Sequence, residues 1–245
     1  GGAVLMSDHI QHVVTAGHCV YFHTATVGGV ERTFNTWAES IRVVPAYNNG
    51  VEPYCYATKV NSRWFTRWRT HSDYDYDVAV LEIDRPVGAL TGWFGYGVRP
   101  SCATYRSNDN TYFNRGYPAQ APYNGQLMYD QSGQFDDCES TLGVWWGNEV
   151  TINRQSWGGQ SGSSAYRFIN NSRTIEAILS NGTNPPGATT NFACMSQAAF
   201  DLVRNFVNSH TPGTPDFIPL DCKADANQFA GRALTGFNFM VHNYS

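Results

Sequence analysis

The chain has 245 residues, 42% of them hydrophobic and 15% charged, with a net charge of −4. That balance suits a folded protein and excludes a disordered one. The sequence has no basic block, which argues against a nucleic-acid partner, and no run of eighteen apolar residues that could span a bilayer.

Taken in chain order, short strands are predicted at Ala3–Met6 and Val13–Thr15, around a turn at Ser7–Asp8. Further strands are predicted at Ile41–Pro45, Val78–Ile83, Gly125–Tyr129, Ser164–Phe168 and Thr174–Leu179. Clusters of Asn, Gly, Pro and Ser between them mark turns. Many short strands at that spacing predict an all-β sandwich or barrels. One helix is predicted over residues 196–208. Ser196 can cap it, and Ala199, Phe200, Val203, Phe206 and Val207 recur at three- and four-residue steps. Thr211–Pro215 reads as a linker. Phe217–Cys222 and Leu234–His242 follow as two strand-like runs around a glycine-bearing turn, a hairpin-like extension. A lone hairpin is marginal in water, so it must pack on the rest of the chain or belong to a further domain.

Three segments carry chemistry: Thr15-Ala16-Gly17-His18-Cys19, Asp77-Val78-Ala79-Val80-Leu81 and Gly158-Gly159-Gln160-Ser161-Gly162. A serine hydroxyl is a poor nucleophile at neutral pH and needs a base to take its proton. Histidine, with an ordinary pKa of about 6.5, suits that role. A buried carboxylate then fixes the imidazole tautomer and stabilises the imidazolium. His18, Asp77 and Ser161 are the candidate base, orienting acid and nucleophile. A turn that exposes a serine and nearby N–H groups needs residues without a Cβ, and the glycines around Ser161 supply them. The N–H groups of Gly159 and Ser161 are the candidate oxyanion hole. Asp75 is a weaker candidate for the acid, and Asp73 and Asp75 read as solvated.

These segments resemble the chymotrypsin-fold serine proteases, and among them the secreted bacterial glutamyl endopeptidases. The resemblance runs from about Gly2 to His210. It includes Thr15–Cys19, Asp77–Ile83, Pro86-Val87-Gly88, Thr91-Gly92-Trp93-Phe94-Gly95-Tyr96-Gly97, Arg115-Gly116-Tyr117-Pro118 and Gly158–Ser163. It implies two six-stranded antiparallel β-barrels, at residues 1–92 and 93–195, with the triad between them. A C-terminal helix at 196–210 and the extension at 211–245 complete the chain. Gly1–Met6 matches the family's second strand. The first strand of the first barrel is therefore missing, through an earlier segment cleaved or omitted, or through the extension covering the gap.

The resemblance implies a secreted endopeptidase without cofactor or metal, acting on peptide or protein substrates through an acyl-enzyme. A protease-fold binding protein without activity and an esterase are the alternatives. The pocket is expected from Gln155, Ser156, Trp157 and the wall Leu179-Ser180-Asn181-Gly182, with Thr189 or Thr190 as further hydroxyls. Leu179 stands where glutamyl endopeptidases carry a histidine, which predicts an uncharged residue before the cut rather than Glu. Arg42, Arg154, Arg167 or a missing N-terminal amine could reach in from a loop to reverse this. Gln160 replaces the aspartate of trypsin-like zymogens, so activation through a freed amine is not expected.

Six dispersed cysteines fit an oxidised, extracellular protein. Fifteen pairings are possible, and pairing of neighbours gives Cys19–Cys55, Cys102–Cys138 and Cys194–Cys222. In the family the cysteine after the histidine pairs with one just upstream, and no cysteine precedes Cys19. His9 and His12 lack a third metal ligand, Trp64, Trp68, Trp145 and Trp146 read as packing, and sequons start at Asn170, Asn181 and Asn243.

Overall fold

A computed structural model describes residues 1–7, 10–27, 30–138, 148–183, 188–209 and 238–244. The strands are β1 (Gly2–Val4), β2 (His12–Thr15), β3 (Tyr21–Val27), β4 (Val30–Trp37), β5 (Ser40–Pro45), β6 (Ala57–Trp64) and β7 (Ala79–Ile83). They continue as β8 (Gly95–Tyr96), β9 (Tyr112–Gly116), β10 (Tyr129–Gly133), β11 (Asp137–Cys138), β12 (Glu149–Ile152), β13 (Ser164–Ile169), β14 (Ser172–Gly182), β15 (Thr190–Cys194) and β16 (Asn238–Tyr244). The helices are α1 (Thr66–His71), α2 (Gly88–Thr91), α3 (Cys102–Tyr105) and α4 (Gln197–Ser209).

The first unit is a closed six-stranded barrel in the order β1-β16-β5-β6-β7-β2. The second is a curled eight-stranded sheet, β10-β9-β13-β14-β15-β12-β11, with β8 added to β14 as a parallel neighbour. Strands β3 and β4 pair as a separate hairpin. The all-β, two-barrel expectation holds, with the second sheet curled and, among the described residues, unclosed.

The strand expected to be missing has its place filled. β16 lies between β1 and β5, with Gly2 opposite Phe239 and six consecutive rungs from Phe239–Pro45 to Tyr244–Ser40. The strand-like run Leu234–His242 is thus in part a barrel strand. The other arm, Phe217–Cys222, and the linker Thr211–Pro215 lie outside the described residues. So do His9, Trp145, Trp146 and Cys222.

The strand period of two explains the core. In β2, Val13 points into the first barrel and Val14 outward into the seam between the two units. In β7, which pairs with β2, Ala79, Leu81 and Ile83 fill the barrel, while Val80 and Val78 just before the strand join the seam. Both faces are buried, so the sequence there is a continuous apolar run. The seam also takes Leu5, Phe94, Tyr166, Ile178 and the inner face of α4, formed by Ala199, Val203, Phe206 and Val207. Ser196 Oγ accepts from the Ala199 N–H at 3.2 Å, the predicted cap.

Cys19 and Cys194 are free thiols, which overturns the pairings Cys19–Cys55 and Cys194–Cys222. Both are buried, Cys19 in the seam at the end of the 3-10 turn Gly17–Cys19 and Cys194 in the second unit's core at the end of β15. Cys55 and Cys138 are not free thiols.

Candidate active site

Strands β2 and β7 run antiparallel with Thr15 opposite Ala79. The chain leaves β2 into a short 3-10 turn, Gly17–Cys19, and enters β7 from a second one, Tyr74–Tyr76. His18 and Asp77 therefore emerge at the same end of the barrel. The His18 ring Nδ1 lies 2.7 Å from Asp77 Oδ2, and the His18 backbone N–H donates to Oδ1 at 2.7 Å. Asp77 is fully buried. The carboxylate fixes Nδ1 as the protonated nitrogen, so Nε2 is the basic one.

Burial alone would lower the His18 pKa. The Asp77 carboxylate, with smaller help from Cys19 and the hydrogen bonds to both, outweighs it and holds the imidazole well above its ordinary value. The free Cys19 thiol beside His18 was not foreseen from the sequence, where all six cysteines read as bridged.

Ser180 also reaches Asp77. Its Oγ donates to Oδ2 at 2.6 Å. The sequence suggested only a pocket wall for this residue. A register shift between Leu179 and Asn181 explains its direction: Leu179 faces Phe192 and Asn181 faces Asn191, leaving Ser180 as an extra residue on β14. Such a bulge re-aims a side chain, here at the first barrel's carboxylate.

Ser161 lies on a loop of the second unit that packs against the strand end leading to His18. The Gly162 N–H donates to Leu179 O at 2.8 Å, and Leu179 N–H to Ser163 O at 2.8 Å. Ser161 O accepts from the Gly1 nitrogen, and Gly1 O accepts from Thr15 Oγ1 at 2.7 Å. Gly162 has φ +77°, and a Cβ there would stand 3.0 Å from Ala16 N and against Thr15 Oγ1. Gly159 has φ +98°, and a Cβ would stand 2.6 Å from Tyr117 O. Both positions require glycine for conformation and for space. Among the described residues, no hydrogen bond joins Ser161 to His18, and no backbone bond is donated by the Gly159 or Ser161 N–H.

A cavity of about 250 Å³ opens beside His18, lined by Phe22, His23, Trp68, Tyr74, Ser180 and Asn181, among others. Trp68 is buried, donates from Nε1 to Tyr21 O at 3.1 Å and tilts over the His18 ring at 6.1 Å. Trp64 packs on Trp37 at 4.1 Å. Trp64 thus behaves as packing, whereas Trp68 also walls the cavity.

The expected pocket residues separate. Gly182 lies against Ser156 Oγ and the Thr189 carbonyl. Leu179 is only 2% exposed and sits in the second unit's core with Phe192 and Val150. The Asn181 side chain bonds protein neighbours: its Nδ2 to Glu149 Oε1 at 3.1 Å and Ser180 Oγ at 3.3 Å, its Oδ1 to Asn191 Nδ2 at 2.7 Å. Asp73 pairs with Arg67 at 2.7 Å, and Asp75 Oδ1 accepts from Asn148 N–H at 2.7 Å, so neither is simply solvated. Arg42 pairs with Glu52 and Arg167 with Glu176, both at 3.0 Å, and Arg154 bonds the Ser132 carbonyl. His12 Nδ1 lies 3.2 Å from Ser7 Oγ, and its ring packs edge-on against Phe206.

Two units on a shared apolar seam, with His18 and Asp77 on one and the Ser161 loop on the other, make the chymotrypsin-like fold of serine proteases. No protein-family model matches the chain. It is 25% identical over 204 residues to a glutamyl endopeptidase of Bacillus licheniformis, covering 80% of this chain and 57% of the relative. It is also 25% identical over 183 residues to an extracellular metalloprotease of Bacillus subtilis, covering 69% of this chain and 48% of the relative. The chain thus spans about half the length of the curated relatives it matches. Among solved structures it superimposes on the protease Anisep from Arthrobacter nicotinovorans with TM-score 0.68 and 21% identity, over 85% of this chain and 88% of that one.

Proposed function

We propose that this chain is a secreted serine endopeptidase in which Ser161 is the nucleophile, His18 the general base and Asp77 the orienting acid. The observation that carries the reading is the 2.7 Å bond between His18 Nδ1 and a fully buried Asp77, with the Ser161 loop packed on the strand that delivers His18. Catalytic hydrogen bonds in the free enzyme are often long and tighten with substrate, so the open Ser161–His18 pair is compatible with it.

In the first step Ser161 Oγ attacks the scissile carbonyl carbon and its proton passes to His18 Nε2. The resulting oxyanion takes hydrogen bonds from the Gly159 and Ser161 N–H groups. Collapse of the intermediate breaks the C–N bond, His18 gives its proton to the leaving amine, and an acyl ester on Ser161 remains. Water then repeats the sequence and frees the acid. Asp77 stays ionised and supports the imidazolium. Each oxyanion donor is worth about 10²–10³ in rate.

The name of the Bacillus subtilis relative implies a metal. Among the described residues no three His, Cys, Asp or Glu side chains come together that could hold one. An extracellular location is supported by the named relative, and no described helix is long and apolar enough to cross a membrane. The test is labelling by a fluorophosphonate probe. The wild-type chain is expected to label and to cleave a peptide library, and Ser161→Ala to lose both. Undiminished labelling of Ser161→Ala would overturn the assignment.

A further inference from the structure

We propose that Asn181 and Glu149 are positioning residues that hold the orienting acid from the second unit, through the chain Glu149–Asn181–Ser180–Asp77–His18. This rests on the reading of His18 and Asp77 as base and acid.

The geometry is continuous. Asp77 Oδ2 receives both His18 Nδ1 at 2.7 Å and Ser180 Oγ at 2.6 Å. A hydroxyl has one proton, and Ser180 gives it to Asp77. Its lone pairs then face the next donor, Asn181 Nδ2, at 3.3 Å. The second Nδ2 proton goes to Glu149 Oε1 at 3.1 Å. Asn181 Oδ1 accepts from Asn191 Nδ2 at 2.7 Å, and Asn191 Oδ1 accepts from Thr151 Oγ1 at 3.1 Å. Both amide orientations are therefore fixed, and both Asn181 Nδ2 protons meet an acceptor.

The fold gives a reason for the arrangement. Asn181 and Asn191 are rung partners on β14 and β15, and Glu149 begins β12 on the far side of β15. The bulge at Ser180 turns consecutive side chains in the directions that link the carboxylate of one unit to that of the other. A hydroxyl free to rotate would offer Asp77 its proton only part of the time. One held by a donor on its lone-pair side offers it continuously, and bonded chains strengthen each member. In this arrangement the Glu149 carboxylate is expected to favour the imidazolium as negative charge at the far end. The other titratable groups nearby include Asp75, tied to the Asn148 N–H, the buried Cys194 thiol, whose pKa burial pushes up and which senses Glu149 and Asp75, Cys19 beside His18, the buried Gly1 amine that acts on Cys19, and His23 and Tyr74 across the cavity.

The test uses the full chain carrying Asn181→Leu, Glu149→Ala or Glu149→Gln. It reads kcat and KM on a cleaved peptide, the His18 titration by ¹H–¹⁵N NMR, and thermal melting. Asn181→Leu and Glu149→Ala are each expected to lower kcat about tenfold with KM within about threefold, the signature of a contribution beyond substrate binding. Both are also expected to lower the His18 midpoint by about half a unit or more, because the imidazolium loses support. Glu149→Gln keeps an acceptor for Asn181 and is expected to recover most of the kcat lost in Glu149→Ala, while its midpoint stays low because the charge is gone. If Asn181→Leu does not fold, the two Glu149 variants decide. A raised KM with unchanged kcat would make Asn181 a substrate contact and overturn the proposal, as would an unmoved His18 midpoint in folded variants. A wild-type chain that neither cleaves nor labels would sink the protease reading. The positioning chain would still stand if the His18 midpoint followed Asn181.

Discussion

Thr15 on β2 and Ala79 on β7 form one antiparallel rung, and that rung sets where His18 meets Asp77. Three residues beyond Thr15 and two before Ala79, the chains turn toward each other through short 3-10 turns. The buried apolar strands behind them, Val13–Val14 and Val78–Leu81, keep the rung from shifting. A slip by one residue would turn the inward set outward and separate the pair.

Replacing Asp77 with Asn is therefore expected to keep the fold and remove the tautomer control. The amide would present an N–H to His18 Nδ1 and favour the wrong tautomer, lowering kcat by about 10⁴. Steady-state kinetics on a cleaved peptide check this. A variant within tenfold of wild type would move the acid's role to another carboxylate.

The pH dependence follows from the raised pKa of His18, which is set by Asp77 against the opposing effect of burial. In the proposed mechanism only the neutral imidazole can accept the Ser161 proton. The value of kcat/KM should rise with pH through a midpoint above the ordinary histidine value of about 6.5. Stability runs the other way. A pKa raised on folding stabilises the native state fully below about 6.5, and that contribution is lost as pH rises through the folded midpoint. Activity and this part of stability should cross in the same window. A kcat/KM midpoint at or below the ordinary value would contradict the link between His18 and Asp77.

Much of this was legible in the sequence because it depends on local pattern. The strand at Val78–Ile83, the helix with its Ser196 cap and the three motifs each declare themselves within a few residues. What was not legible depends on register or on distant partners. Ser180 reads as a wall residue until the bulge beside it is known. Asn181 looks available to substrate until Glu149 and Asn191 are placed across two neighbouring strands. Leu179 reads as a pocket residue, yet alternation along β14 turns it into the core. The place of β16 in the first barrel could be raised from the unfilled strand position but not paired, since pairing over such a separation leaves no local trace.

Ser180→Ala tests the bulge. The substitution removes one of two side-chain donors to Asp77 Oδ2 and leaves a buried carboxylate less satisfied. Losing a hydrogen bond to a buried charged group costs about 1–3 kcal/mol, so thermal melting should report a clear loss. The value of kcat should fall with it, with KM nearly unchanged. A variant as stable and active as wild type would show that the hydroxyl does not support the carboxylate.

The barrel closed by β16 gives a separate prediction. Removing residues 238–244 would leave β1 and β5 as open edges, each with unpaired backbone groups. The shortened chain should melt at lower temperature and associate at micromolar concentration, and its activity should fall because the same barrel carries His18 and Asp77. Light scattering and melting curves on the two chains check this. A monomeric, equally stable shortened chain would show that β16 is dispensable.

Specificity is where the residues depart from the resemblance. Selecting Glu before the cut requires a group that pairs its carboxylate in a desolvated pocket, since burying that charge alone costs several kcal/mol. Around Ser156 and Gly182 the structure offers a hydroxyl and a backbone carbonyl. The arginines that could have reached in are engaged elsewhere, Arg42 with Glu52, Arg167 with Glu176 and Arg154 with the Ser132 carbonyl. Leu179 faces the core. Glu149 stands behind Asn181 and would repel a second carboxylate. An uncharged residue is therefore expected to be preferred over Glu at this position. Matched peptides with Glu, Gln, Leu and Lys before the scissile bond, compared by kcat/KM, decide the matter. A hundredfold advantage for Glu over Gln would mean that a cation outside these residues reaches the pocket, and the prediction would fail.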